Sequence, residues 1–244
     1  MKTFLFEICV ETLQAAQAAE LGGADRIELC ERLDIGGVTP CESLISATIQ
    51  ELSIPVHVLI RPRGGDFVYS DGEFDLIRQQ IQWVRQAGAA GVALGALLGD
   101  GRVDVERSRE LAELARPMKV TFHRAFDRAP DLEEALEAVI STGANCLLTS
   151  GGEPDVLAGV KPLKKLVIQA SGRIQIMAGG GLKLTSMVEV LEQTGLRCLH
   201  GSLTRRAGDG LPESCKTEGQ AEILEADVRT AVRLMQRHFD PEIL

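Results

Sequence analysis

Four times along the chain a helix-forming segment breaks at glycine and an apolar strand follows at once: GADRIELC from Gly23, GAAGVALGA from Gly88, GANCLLTSG from Gly143 and, more loosely, GLRCLHGS from Gly195. A glycine that ends a helix takes positive φ without a Cβ clash, so each phrase reads as a cap that turns the chain into a strand. Between the phrases apolar residues recur at helical spacing, as in Phe74, Ile77, Ile81 and Val84, or Leu132, Leu136, Val139 and Ile140. Ser70 with Glu73 three residues on forms a capping box, and Pro130-Asp131 opens the helix at Leu132. The pattern predicts strands over 3–9, 25–30, 56–61, 91–95, 118–123, 145–149, 173–178 and 197–201, and a last helix near 222–238.

Eight strand–helix units fit either a (β/α)₈ TIM barrel or a doubly wound open sheet. Side-chain alternation separates the two. Leu5, Glu7 and Cys9 share one strand face and Phe4, Phe6 and Ile8 the other; Arg26, Glu28 and Cys30 stand against Ile27 and Leu29; His57, Leu59 and Arg61 against Val58 and Ile60; Thr121 and His123 against Val120 and Phe122. Strands buried between two helix layers read apolar on both faces, whereas a barrel has one helix-facing side and an interior whose top layer tolerates polar groups. The expectation is therefore an α/β chain with one TIM-barrel domain over 1–244, carrying one long loop, 205–219, after strand 8.

Composition narrows the partners. Asp plus Glu number 35 against 26 Lys plus Arg, a net charge of -9, which argues against nucleic acid and against an anionic membrane surface. No apolar run approaches the ~20 residues of a membrane span, and Glu7 interrupts the N-terminal run too early for a secretory signal. The six cysteines form no CxxC pair, which fits reduced thiols and a cytoplasmic protein.

Function in a barrel sits at the C-terminal strand ends and the loops after them. Glu7 and Glu28 are expected at one height on adjacent strands, where two like charges raise at least one pKa; with His123 they form a candidate acid–base set, Arg61 and His123 being the expected counter-charges. The thiols Cys9 and Cys30 follow these Glu residues in the matched phrases FEIC and IELC. Two convergent thiolates suit a soft ion such as Cu(I), yet buried strand cysteines also serve as packing; Cys41, Cys146, Cys198 and Cys215 are expected as packing or surface residues. A third set speaks for a small anion, phosphorylated or sugar-like: Arg61, Arg63, Asp66, Arg124, Ser150, Gly151, Gly179, Gly180, Gly181 and Ser202, where backbone N–H groups and guanidinium forks gather after strands 3, 5, 6, 7 and 8. His57 is expected as a core residue, Trp83 to pack, and Tyr69 to line the pocket.

The phrases GADRIELC, GGVTP, IPVHVLIRPRGGDFVYSDGE, VTFHRAFD, LLTSGG and IMAGGG together resemble the copper homeostasis protein CutC family, over about Glu7 to Ser202. The resemblance implies a TIM barrel, cytoplasmic location, self-association as a dimer or higher oligomer, and a role in copper handling, with Cys9 and Cys30 as the Cu(I) ligands. Gly201 stands where some members carry a further thiol. The anion reading, a barrel enzyme acting on a small anionic substrate, stays open beside it.

Overall fold

In a computed structural model of the chain, which describes residues 4–204 and 223–240, eight parallel strands close into a barrel in sequence order, β1 pairing with both β2 and β8. The strands are β1 (Leu5–Val10), β2 (Arg26–Leu29), β3 (Val56–Leu59), β4 (Gly91–Leu94), β5 (Lys119–Phe122), β6 (Cys146–Thr149), β7 (Gln175–Gly179) and β8 (Cys198–Gly201). The helices are α1 (Leu13–Gly22), α2 (Glu42–Glu51), α3 (Asp71–Ala87), α4 (Val105–Ala115), α5 (Leu132–Thr142), α6 (Val160–Ala170), α7 (Met187–Thr194) and α8 (Glu225–Phe239). Short 3₁₀ turns, Leu33–Ile35 and Arg124–Arg128, follow β2 and β5. The TIM barrel expected from the strand count and face alternation is the fold found. The loop expected over 205–219, with Cys215, lies outside the described residues. No helix among them is long and apolar enough to cross a membrane.

The four glycines of the recurring phrase all sit at positive φ at helix C-termini, as their capping role requires. At the other end of α3 the Ser70–Glu73 box closes in both directions, and Phe74, Ile77, Ile81 and Val84 bury the face toward the barrel. Burying side chains of that size contributes roughly 1.5–3 kcal/mol each.

Outward strand residues and inward helix faces make the main core, in which Phe6, Ile8, Val10, Ile27 and Leu29 are fully buried. The barrel interior is different. It holds two small apolar clusters, one of Cys146, Leu148, Met177 and Cys198 with Leu5 packed on it, the other of Cys9, Cys30, Leu59 and Ala93 with Leu33. Glu7, Arg26, Glu28, His57, Thr121 and His200 are buried in the same interior.

Strand stagger corrects one expectation. Glu7 and Glu28 do not share a height: Glu7 registers with Arg26 on one side and His200 on the other, and Glu28 with Cys9 and His57. Closing a barrel demands shear between neighbours, so matched sequence phrases slip past one another by two residues. Strand ends also fall short of the apolar runs. Arg61 lies beyond β3, its N–H taken by Thr39 Oγ1 at 2.8 Å, and His123 lies beyond β5.

The interior admits little further volume. Gly91 faces His57 across β3 and β4, and a Cβ there would fall 2.4 Å from His57 Cε1. Gly91→Ala is expected to lower stability by about 1–3 kcal/mol, the usual cost of overpacking, measured as a fall in the urea midpoint at constant m-value.

Candidate functional site

The floor of the site is a buried charged cluster on β1, β2, β3 and β8. Arg26 Nε donates to Glu7 Oε2, and His200 Nδ1 lies 2.7 Å from Glu7 Oε1. A carboxylate only accepts, so His200 Nδ1 carries its proton. Burial would raise the Glu7 pKa, but Arg26 and then His200 outweigh it and hold the carboxyl down at about 2. His200 is shifted up: burial opposes its charge, while the bond to Glu7 and the field of Glu28 favour it. Glu28, whose Oε2 is 3.7 Å from His200 Nε2, is itself raised, chiefly by burial. His57 Nδ1 is 4.0 Å from Glu7 without a hydrogen bond, and burial together with Arg26 brings its pKa down to about 4.

Above this floor a cavity of about 260 Å³ opens at the C-terminal mouth of the barrel. Cys9, Glu28, Leu59, Arg61, His123, Arg124, Leu148, His200 and the loops after β7 and β8 line it. Cys9 Sγ is 3.3 Å from Cys30 Sγ, both thiols unbridged and buried, and Cys30 Sγ also reaches Val10 O at 3.6 Å. The bond from Cys30, burial, and the neighbouring Cys30 and Glu28 push the Cys9 thiol well above its ordinary pKa. One donor atom each of Cys9, Glu28 and His200 lie within 4.8 Å of one another, a grouping that could hold a metal ion. The remaining described thiols stand apart: Cys41 is exposed, and burial pushes Cys146 up to about 12 and Cys198 to about 11.

The basic residues divide into those that build the mouth and those that face it. Arg61 is buried and spends its fork on backbone carbonyls, Nη1 on Ile35 and Gly37 and Nη2 on Gly65, with its face over the Phe67 ring at 4.6 Å. It pairs with no carboxylate among the described residues, so it is not the counter-charge of Glu7 or Glu28 that its position in the sequence suggested; Arg26 and His200 take that role. His123 forms no ion pair with Glu7 or Glu28 either. Its Nδ1 accepts from Ala125 N at 3.3 Å, its buried Nε2 has no partner among the described residues, and burial with the nearby Arg61 lowers its pKa to about 3. Arg63 binds Asp66 and Glu73 and covers Tyr69, and none of these four lines the cavity.

On the opposite rim Arg124 is held by Asp127 at 2.8 Å and Ser150 Oγ at 3.0 Å. The buried Asp127 carboxylate also accepts from Ser150 N and Gly152 N, and Thr149 Oγ1 takes the Gly151 N–H. The donors expected on Ser150 and Gly151 are therefore already engaged. Those of Gly180, Gly181 and Ser202 are not: no acceptor among the described residues takes their N–H groups.

Residues 4–205 match the model of the CutC family. This chain belongs to the CutC family. It is 43% identical over 208 residues to a human protein named copper homeostasis protein cutC homolog, spanning 85% of this chain and 76% of that one. It is 39% identical to a family protein CutC of Bacteroides thetaiotaomicron, over 96% and 97% of the two chains. The crystal structure of the putative copper homeostasis protein CutC from Streptococcus agalactiae superposes with a TM-score of 0.78 at 31% identity, covering 82% of this chain and 98% of that one.

Within this CutC barrel, sequence reasoning missed the roles of Arg26 and Asp127. Arg26 was legible as an inward residue, but only the stagger puts it beside Glu7. Asp127 sits in the distinctive phrase VTFHRAFD, and no local pattern reveals that it caps the loop after β6.

Two buried neutral imidazoles are expected to make the chain acid-sensitive. His57 and His123 have folded pKa values of about 4 and about 3 against an ordinary 6.5, so the unfolded chain takes up their protons first as pH falls. Their contribution is complete above pH 6.5 and is lost as pH drops through 6.5 toward 4, whereas the Glu7 contribution is lost only below 4.5, toward 2. Across the upper window the folded state is expected to lose on the order of a few kcal/mol. Urea midpoints measured over that range should flatten in the His57→Gln, His123→Gln double variant; a wild type indifferent to pH there would overturn the assignment.

Proposed function

We propose that the protein binds Cu(I) through Cys9 and Cys30 and acts in copper handling, as the name of its human relative suggests for that protein. The observation that carries this reading is the unbridged pair of buried Sγ atoms 3.3 Å apart, with Cys9 and Glu28 in the wall of a cavity open at the barrel mouth. Thiolate is the ligand type that selects Cu(I) over harder cations. Burial supports the same choice, because a dry thiolate pair disfavours hydrated ions and needs a cation to offset its charge. His200, fixed by Glu7 through Nδ1, leaves Nε2 on the side of Cys9 and Glu28 and is the natural third donor.

The chain's own groups also manage the protons that metal binding displaces. Glu28 sits beside Cys9 with its carboxyl biased toward the protonated form, and His200 links it to Glu7. The unbridged thiols 3.3 Å apart suit a reducing compartment such as the cytoplasm, and self-association is an expectation that the family resemblance carries.

Cu(I) titrated anaerobically against a strong competing chelator is expected to bind the wild type at one ion per chain. The Cys9→Ser, Cys30→Ser double variant should lose that binding while keeping its far-UV circular dichroism. Equal affinity in the double variant, or no competition by the wild type, overturns the proposal.

A further inference from the structure

A protein needing only a thiol pair has no use for the rest of the mouth. Among the cavity-lining residues the fixed cations are Arg61 and Arg124 and the lone carboxylate is Glu28, in a chain whose net charge is -9. On the wall formed by β7 and β8, three features converge. The N–H groups of Gly180, Gly181 and Ser202 have no acceptor among the described residues. Gly179 registers with His200, which brings Gly180 and Gly181 alongside Gly201 and Ser202. Arg124, fastened by Asp127 through Nε and by Ser150 through Nη2, lies against Gly180 so closely that a Cβ there would be 2.9 Å from Nη1, the one terminal nitrogen without a partner among the described residues. Positive φ at Gly180 and Gly181 holds this backbone in a curve that a larger residue rarely adopts.

We propose that this wall seats the phosphate of a small phosphomonoester, whose remaining atoms extend across the cavity toward His123 and Arg61. Converging backbone N–H groups and a guanidinium are the donor set that phosphate oxygens satisfy. Loops after strands 7 and 8 of a barrel are where the geometry of the fold gathers such groups. A second, independent observation points the same way. His123 is 4% exposed, its ring lines the cavity, and with Nδ1 accepting from Ala125 its Nε2–H is a buried donor without an acceptor among the described residues. Arg61 Nε, on an equally buried side chain that also lines the cavity, is likewise unpartnered. Buried donors without partners are costly, and hydroxyl or carbonyl oxygens of a bound molecule would satisfy both. Asp155 packs on Gly181, its carboxylate lies outside the lining, and the N–H groups of Leu157 and Ala158 that it accepts partly offset its charge.

The proposal is independent of the copper reading and is tested on metal-free, reduced full-length chain. Binding of inorganic phosphate, glycerol phosphate and ribose phosphate is measured by calorimetry against chloride of equal ionic strength. The wild type is expected to bind phosphate saturably and the two esters more tightly. Ser202→Asp, which places a carboxylate at the seat, and Arg124→Ala should each weaken phosphate about tenfold or more, the equivalent of ~1.4 kcal/mol. Ser202→Ala, which keeps the N–H and adds no charge, should weaken phosphate less than Ser202→Asp does. Since Arg124 also braces the loop after β6, the Ser202 pair decides the matter if Arg124→Ala does not fold. No saturable phosphate binding, or binding unchanged by Ser202→Asp, overturns the proposal. Phosphate binding without ester preference overturns the extension toward His123. The Cys9→Ser, Cys30→Ser variant should retain phosphate binding whatever its effect on Cu(I).

Discussion

Glu7 is 1% exposed and carries a charge, and the interior of the barrel is arranged around that fact. A buried carboxylate is tolerated only when neighbours replace the water it has lost. Here β2 supplies Arg26 and β8 supplies His200, the two strands that flank β1, so the ion cluster spans the seam where the first and last strands meet. Closure of the barrel and neutralisation of Glu7 are thus one requirement. The cluster also fixes the orientation of His200, and through it the edge that faces Glu28 and Cys9. An apolar tier lies on each side, the Cys146 and Met177 cluster toward one end and the Cys9 and Cys30 pair toward the other, which keeps the charges dry.

Much of the fold was legible in the chain. The glycine-terminated phrases marked strand starts, and face alternation distinguished a barrel from an open sheet because Phe6 and Ile8 must face helices while Glu7 and Cys9 must not. The nearness of Cys9 and Cys30 also followed from their matched phrases. What the sequence could not carry was register. Shear is a property of the closed sheet, and a slip of two residues exchanged the expected neighbour of Glu7, Glu28, for Arg26. The same limit applies to partners that loops bring together: Arg61 reads as a free cation on paper, yet three backbone carbonyls occupy its fork. Asp127 reads as one acidic residue among many, and it organises the loop after β6.

The mouth accordingly has two unlike sides. Around β1 and β2 are sulfur, a carboxyl and the edge of an imidazole; around β7 and β8 are backbone donors and a guanidinium. A soft cation and an oxyanion would not compete for the same atoms, although they would share one small volume. The chain belongs to the CutC family, and the Cu(I) site proposed above lies on the thiol side.

Asp127 gives this asymmetry a further meaning. By accepting from Ser150 and Gly152 it fills, with the chain's own carboxylate, the concavity that the loop after β6 would otherwise offer. The protein thus carries a tethered counter-ion in one seat and, among the described residues, supplies none to its neighbour. On the phosphate proposal, a guest with a single charged end would lie with that end on the wall after β7 and β8 and its far end toward His123 and Arg61.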